Sequence, residues 1–120
     1  MWGESVGRQK IGPSRHVSEA LRLLGLRIRE ARTVRHWTRA ELAERIGVST
    51  PTIARIEDGY AGVSAGHLLA AAVAVGLPLY GVDDPDEITR MRLSGEQRVA
   101  LLPQRVRRGR DEADDVDLDF

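Results

Sequence analysis

Between Ser18 and Arg35 the apolar residues Leu21, Leu24, Ile28 and Ala31 fall three or four positions apart, while Arg22, Arg29 and Glu30 take the other face. That spacing predicts an amphipathic helix running to about Arg35. Ser18 stands as its cap, with Glu19 placed to meet the positive end of the helix dipole. Thr38 followed by Glu41 is a capping-box pair and opens a short second helix through Ile46, with Leu42, Ala43 and Ile46 on its inner side. Gly47 accepts positive φ and ends that helix in one step, and Val48 plugs the corner. Ser49 caps a third helix with Pro51 in its first turn, Ile53 and Ile56 pointing inward, and Asp58-Gly59 at its end.

Ser64 caps a fourth helix through Val75, with Leu68, Leu69, Ala72 and Val73 expected toward the core and Gly76 as the stop. Asp84-Pro85-Asp86-Glu87 combines a cap, a first-turn proline and two acids, and launches a fifth helix to about Leu93. Beyond Ser94 a further stretch, Glu96 to Leu102, reads as helical up to Pro103. No alternating strand pattern and no solenoid-length repeat occurs, so the expected class is all-α.

The informative segment runs from Thr38 to Gly59: two short helices, a turn of Gly and one apolar residue, and a shared core of Leu42, Ala43, Val48, Ile53 and Ile56. This spacing sets the second helix across the first and leaves its N-terminal end protruding, where it can enter a major groove. The residues Arg27 to Arg32, Glu41-Leu42-Ala43, Ile46-Gly47-Val48-Ser49 and Ile53 to Gly59 resemble the XRE, or phage-repressor-like, helix-turn-helix family, between Ala20 and Tyr80. The resemblance implies a five-helix domain. It implies that Arg39, Thr50, Pro51, Thr52 and Arg55 face DNA, together with the caps Thr38 and Ser49. Arginine at Arg55 suits guanine O6 and N7, threonine methyls suit thymine, and hydroxyls and a helix N-terminus suit phosphate.

The same resemblance implies an internal ion pair between Arg32 and Glu57, although an arbitrary exposed Arg and Glu would be worth little. Breaking the pair from one side, if it is buried, is expected to cost about 3 to 5 kcal/mol. The family often carries Gly where this chain has His36, so the end of the first helix must take a non-glycine residue into a left-handed or irregular turn. Trp37 takes an apolar staple position and reads as core, not as a base-stacking platform.

Charge changes the picture less than the zero net value indicates. From Arg15 to Asp58 arginines outnumber acids, and the balance comes from Asp111 to Asp119. A basic reader followed by an acidic tail sums to zero without being neutral in either part. The chain has no cysteine, which excludes disulfides and thiolate chemistry. His16, His36 and His67 are scattered, so no metal and no cofactor is expected. Gly59-Tyr60-Ala61-Gly62 lacks the lysine of a phosphate-binding loop, and Asp83, Asp84, Asp86 and Glu87 do not alternate as a calcium loop requires. An enzyme is not expected. The apolar stretch Leu68 to Val82, broken by Gly76, Pro78 and Gly81, falls short of the roughly 18 to 20 residues of a membrane span, and the start of the chain does not read as a secretory signal. A cytoplasmic protein is expected.

The domain reading is a flexible arm over 1–16, the helix-turn-helix domain over 17–82, a helical extension for dimerisation over 83–102, and a basic then acidic tail over 103–120. Ile88, Met91, Leu93, Val99 and Leu101 are the candidate dimer seam. Two recognition helices one DNA turn apart would read a palindrome in duplex operator DNA. The stretch Leu102-Pro103-Gln104-Arg105-Val106-Arg107 and the ending Asp117-Leu118-Asp119-Phe120 resemble the close of HipB-type antitoxins. That resemblance implies a repressor of its own operon that holds a HipA-like kinase toxin, with Leu118 and Phe120 docking in the partner. The alternatives are a free-standing XRE regulator or restriction-modification controller, and an interaction module that kept the fold without reading DNA.

Overall fold

The computed structural model describes residues 12–104. The described part of the chain is all-α: α1 (Arg15–Val34), α2 (Arg39–Ile46), α3 (Thr50–Glu57), α4 (Ala65–Ala74) and α5 (Pro85–Ala100). Apart from a single antiparallel bridge between Leu79 and Val82, no strand pairing occurs among the described residues. The chain divides into two units, one through Asp83 holding α1 to α4 and one from Asp84 holding α5.

Helix α1 begins one turn earlier than its apolar period indicates. The cap is Ser14, whose Oγ accepts from the Val17 N–H at 3.2 Å, and Ser18 lies inside the helix. Residues Arg15, His16 and Val17 are exposed, so the first turn carries no burial signal and only the cap marks it. Helices α1 to α4 all end in one backbone motif. After α1 the His36 N–H donates to the Thr33 carbonyl (2.9 Å) and the Trp37 N–H to the Arg32 carbonyl (3.1 Å). This is the Schellman pattern, which needs a left-handed residue just past the helix. His36 supplies it with φ 61°, where the other three helices use Gly47, Gly59 and Gly76.

The core of the first unit is Ile28 from α1, Leu42 and Ala43 from α2, Ile53 and Ile56 from α3, and Ala71, Ala72 and Val75 from the α4 region, all buried. Leu24, Ala31, Trp37, Ile46, Val48 and Leu68 pack around it. On α4 the inward side is Leu68, Ala71, Ala72 and Val75. Leu69 and Val73, expected inside, are exposed. That helix is apolar nearly all round, so its sequence offers little contrast, and one residue of offset turns a side chain about 100° away from the core.

Gly25 sets how closely α1 lies on α3. A Cβ built there would stand 2.5 Å from the Glu57 carbonyl oxygen and 2.6 Å from that of Ile56. No side chain fits between the helices at this point.

In the second unit α5 is one continuous helix through Ser94-Gly95, not a helix to Leu93 followed by a separate segment. An interior glycine costs about 1 kcal/mol. Side-chain pairs bridge it, Arg92 to Glu96 at 2.6 Å and Arg98 to the Ser94 hydroxyl at 2.8 Å. The helix buries none of its own residues within the described chain. By helical spacing Ile88, Met91, Gly95 and Val99 share one face, while Leu93 projects from the opposite side.

Candidate nucleic-acid interface

Helices α2 and α3 are held at a fixed angle by local chemistry at each end. At the start of α2 the Thr38 hydroxyl accepts from the Glu41 N–H at 3.0 Å, and the Thr38 N–H donates to Glu41 Oε1 at 2.7 Å, closing both halves of a capping box. At its end Gly47 takes φ 74°, and half-buried Val48 packs against the core. The Ser49 Oγ then accepts from the Thr52 N–H at 3.2 Å to start α3.

On α3 the two faces are sharply divided. Ile53, Ile56 and Glu57 are buried, whereas Thr50, Pro51 and Arg55 are exposed and Thr52 is half-buried. The Thr52 hydroxyl lies 2.8 Å from that of Ser49, so both are engaged in the cap. The side chains of Thr38, Ser49 and Thr52 therefore build the helix ends. Among the described residues no hydrogen bond or ion pair holds the side chain of Thr50 or Arg55. The exposed side of α3 thus offers the Thr50 hydroxyl and the Pro51 ring in its first turn and the Arg55 guanidinium in its last.

Behind this face lies a buried carboxylate. Glu57 is 5% exposed, the one buried charged residue among those described. Its Oε2 accepts from Arg32 Nε at 2.6 Å, and its Oε1 accepts from Arg32 Nη2 at 3.1 Å and from Arg39 Nε at 3.0 Å. Arg32 also donates through Nη1 to the Trp37 carbonyl at 2.7 Å. Burial by itself would push the Glu57 carboxyl up. The hydrogen bonds from Arg32 and Arg39, with their positive charge, outweigh it and hold the group below its ordinary value. The hydrogen bond to Glu57 likewise keeps Arg32 above its ordinary value against the opposing effect of burial.

The Arg32 to Glu57 geometry is bidentate, the strongest form of such a pair. Arg39, which the resemblance sets facing DNA, is tied by Nε to the same carboxylate, while its side chain remains 36% exposed. No local spacing rule links residues so far apart in sequence, and the helix-turn-helix pattern names only the Arg32 partner. Trp37 packs on the core with the Arg45 guanidinium 3.9 Å from its ring centroid, a cation–π contact that also escapes sequence reading. His16, His36 and His67 are exposed, and no group of three potential metal ligands occurs among the described residues. No helix among them is long and apolar enough to cross a membrane. Leu118 and Phe120 lie outside the described residues.

Compared with known proteins, residues 23–91 match a family model described as a helix-turn-helix domain, a span of more than half the chain. No curated protein and no solved structure gives a significant match.

Proposed function

Since the chain belongs to the helix-turn-helix domain family, we propose that it is a sequence-specific transcriptional repressor which inserts α3 into the major groove of duplex operator DNA. The observation that carries this reading is the division of α3: its apolar side is buried while Thr50 and Pro51 in the first turn and Arg55 in the last stand on the exposed side that a groove would admit. Arg55 is the proposed base reader, donating two parallel bonds to a guanine, and Thr50 is the proposed thymine or phosphate contact. Thr38, Ser49 and Thr52 contribute by presenting capped helix ends to the backbone.

One recognition helix buries too little to choose a site, so the active species is proposed to be a homodimer spanning half-sites about 34 Å apart. The stripe of Ile88, Met91 and Val99 on α5 is its proposed seam. The protein is proposed to act in the cytoplasm, without cofactor and without catalysis.

Selection of duplexes from a random library tests the reading directly. The wild-type chain should enrich a palindrome, and Arg55→Ala should lose about 1 to 3 kcal/mol at one base pair per half-site while keeping the others. Unchanged affinity and base preference in that variant would remove Arg55 from the role. The finer proposal, an antitoxin that represses its own operon and holds a HipA-like kinase, rests on the sequence around Leu118 and Phe120. Its test is coexpression with the neighbouring gene product: a complex with a kinase that is lost on truncation after Asp115 supports it, and no complex leaves a free-standing regulator.

A further inference from the structure

The three-membered cluster of Arg32, Glu57 and Arg39 carries one more positive charge than negative. Arg32 has spent Nε, Nη1 and Nη2 on protein acceptors, and its side chain is 11% exposed. Arg39 has spent only Nε, and its side chain is 36% exposed. The unspent donors and the excess charge of the cluster therefore face outward at Arg39. A guanidinium held by Nε still presents both terminal amino groups in a fixed plane, a shape that matches two oxygens of a phosphate. Arg39 is the first residue of α2, and in this fold class the first helix of the pair crosses the DNA backbone.

Resting on the DNA-binding reading above, we infer that Glu57 is a positioning residue for Arg39: it clamps Nε so that the terminal amino groups are aimed at a backbone phosphate. One buried carboxylate then serves two ends, locking α1 to α3 through Arg32 and setting the register of α2 on DNA through Arg39. Lysine cannot replace Arg39 here. Its single nitrogen would be drawn either to Glu57 or to phosphate, without the planar fork that serves both at once.

The test uses the full chain and the duplex that the wild type enriches from a random library, with binding followed by fluorescence anisotropy across salt. Arg39→Ala should lower the slope of log K against log salt by about 0.9 per bound protomer, with base preference unchanged on reselection. Arg39→Lys keeps the charge and leaves the Arg32 to Glu57 pair intact, yet should lose about tenfold or more in affinity, the scale of one charge-assisted hydrogen bond. Glu57→Gln has one carbonyl oxygen for three N–H donors, and where it folds it should weaken binding in the wild-type background but add nothing in the Arg39→Ala background. A salt slope unmoved by Arg39→Ala, an Arg39→Lys affinity within about twofold of wild type, or additive effects of the two substitutions would overturn the inference and leave the DNA-binding reading standing. Failure of the wild type to bind any duplex would overturn both.

Discussion

Gly25→Ala adds a single methyl group, and the structure assigns it an unusually clear outcome. On an exposed helix this change would stabilise by about 0.8 to 1.0 kcal/mol through propensity alone. At Gly25 the new carbon would meet the Glu57 carbonyl oxygen at 2.5 Å, the Ile56 carbonyl oxygen at 2.6 Å and the Glu57 carbonyl carbon at 2.8 Å. All three are backbone atoms at the end of α3, so no rotamer change can relieve the overlap and the two helices must separate. Overpacking of this kind costs about 1 to 3 kcal/mol, and simultaneous clashes with main chain place it at the upper end. Set against the propensity gain, the net loss is about 2 kcal/mol, or about 8 to 16 °C in melting temperature for a domain of this size. Gly66→Ala is the control. It makes the same chemical change inside α4, where nothing lies within 4 Å of the added carbon, and it should raise the melting temperature slightly. Circular dichroism melts of the two variants beside wild type decide the matter. If Gly25→Ala melts at or above wild type, as Gly66→Ala should, the close crossing of α1 on α3 is wrong.

Replacing Glu57 with Ala strands Arg32, whose side chain is 11% exposed, and should cost about 3 to 5 kcal/mol in urea unfolding; a loss under about 1 kcal/mol would place the pair among ordinary surface contacts. The carboxyl of Glu57 is lower in the folded state than unfolded, so its contribution is fully present above the unfolded value of about 4.3 and disappears as pH falls toward the folded value. The urea midpoint of the wild type should therefore drop between about pH 5 and pH 3 more steeply than that of Glu57→Gln, and parallel profiles would contradict the sign. His36→Gly relieves a left-handed non-glycine residue at φ 61°. The strain of about 1 to 2 kcal/mol exceeds the added unfolded-state entropy of about 0.5 to 1, so the variant should be more stable by about 0.5 to 1 kcal/mol, read from the same melts.

What could be read from the sequence was written in short range. Thr38 and Glu41, Gly47, and Ser49 with Pro51 each specify a helix end through neighbours within four residues, and each stands where local rules put it. Ile28, Leu42, Ala43, Ile53 and Ile56 follow from helical period because the helices carrying them have a polar side for contrast. Where contrast fails, so does the reading. Leu69 and Val73 on apolar α4 are exposed, and the glycine in α5 does not break a helix that flanking side chains bridge. The position of Ser14 as first cap was hidden because the turn it opens is solvent-facing. The contact between Arg39 and Glu57 and the need for Gly25 belong to a deeper class. Both exist only because α1, α2 and α3 meet, and neither leaves any periodic trace.

Those two features converge on the same few atoms. Gly25 lets α1 rest on the carbonyl oxygens of Ile56 and Glu57, while the side chain of that same Glu57 gathers Arg32 from α1 and Arg39 from α2. For stability alone such a cluster is a poor choice, since well-packed apolar residues in place of buried ion pairs are often as stable or more so. An apolar replacement would pack, but it would leave no half-exposed guanidinium at the first residue of α2. The ionic version does something an oily one cannot: it carries positional information from the packed interior to a charged group at the rim. The end of α3 is thereby referenced to the same carboxylate as the start of α2, so the proposed base reader and the proposed phosphate contact share one internal fixed point.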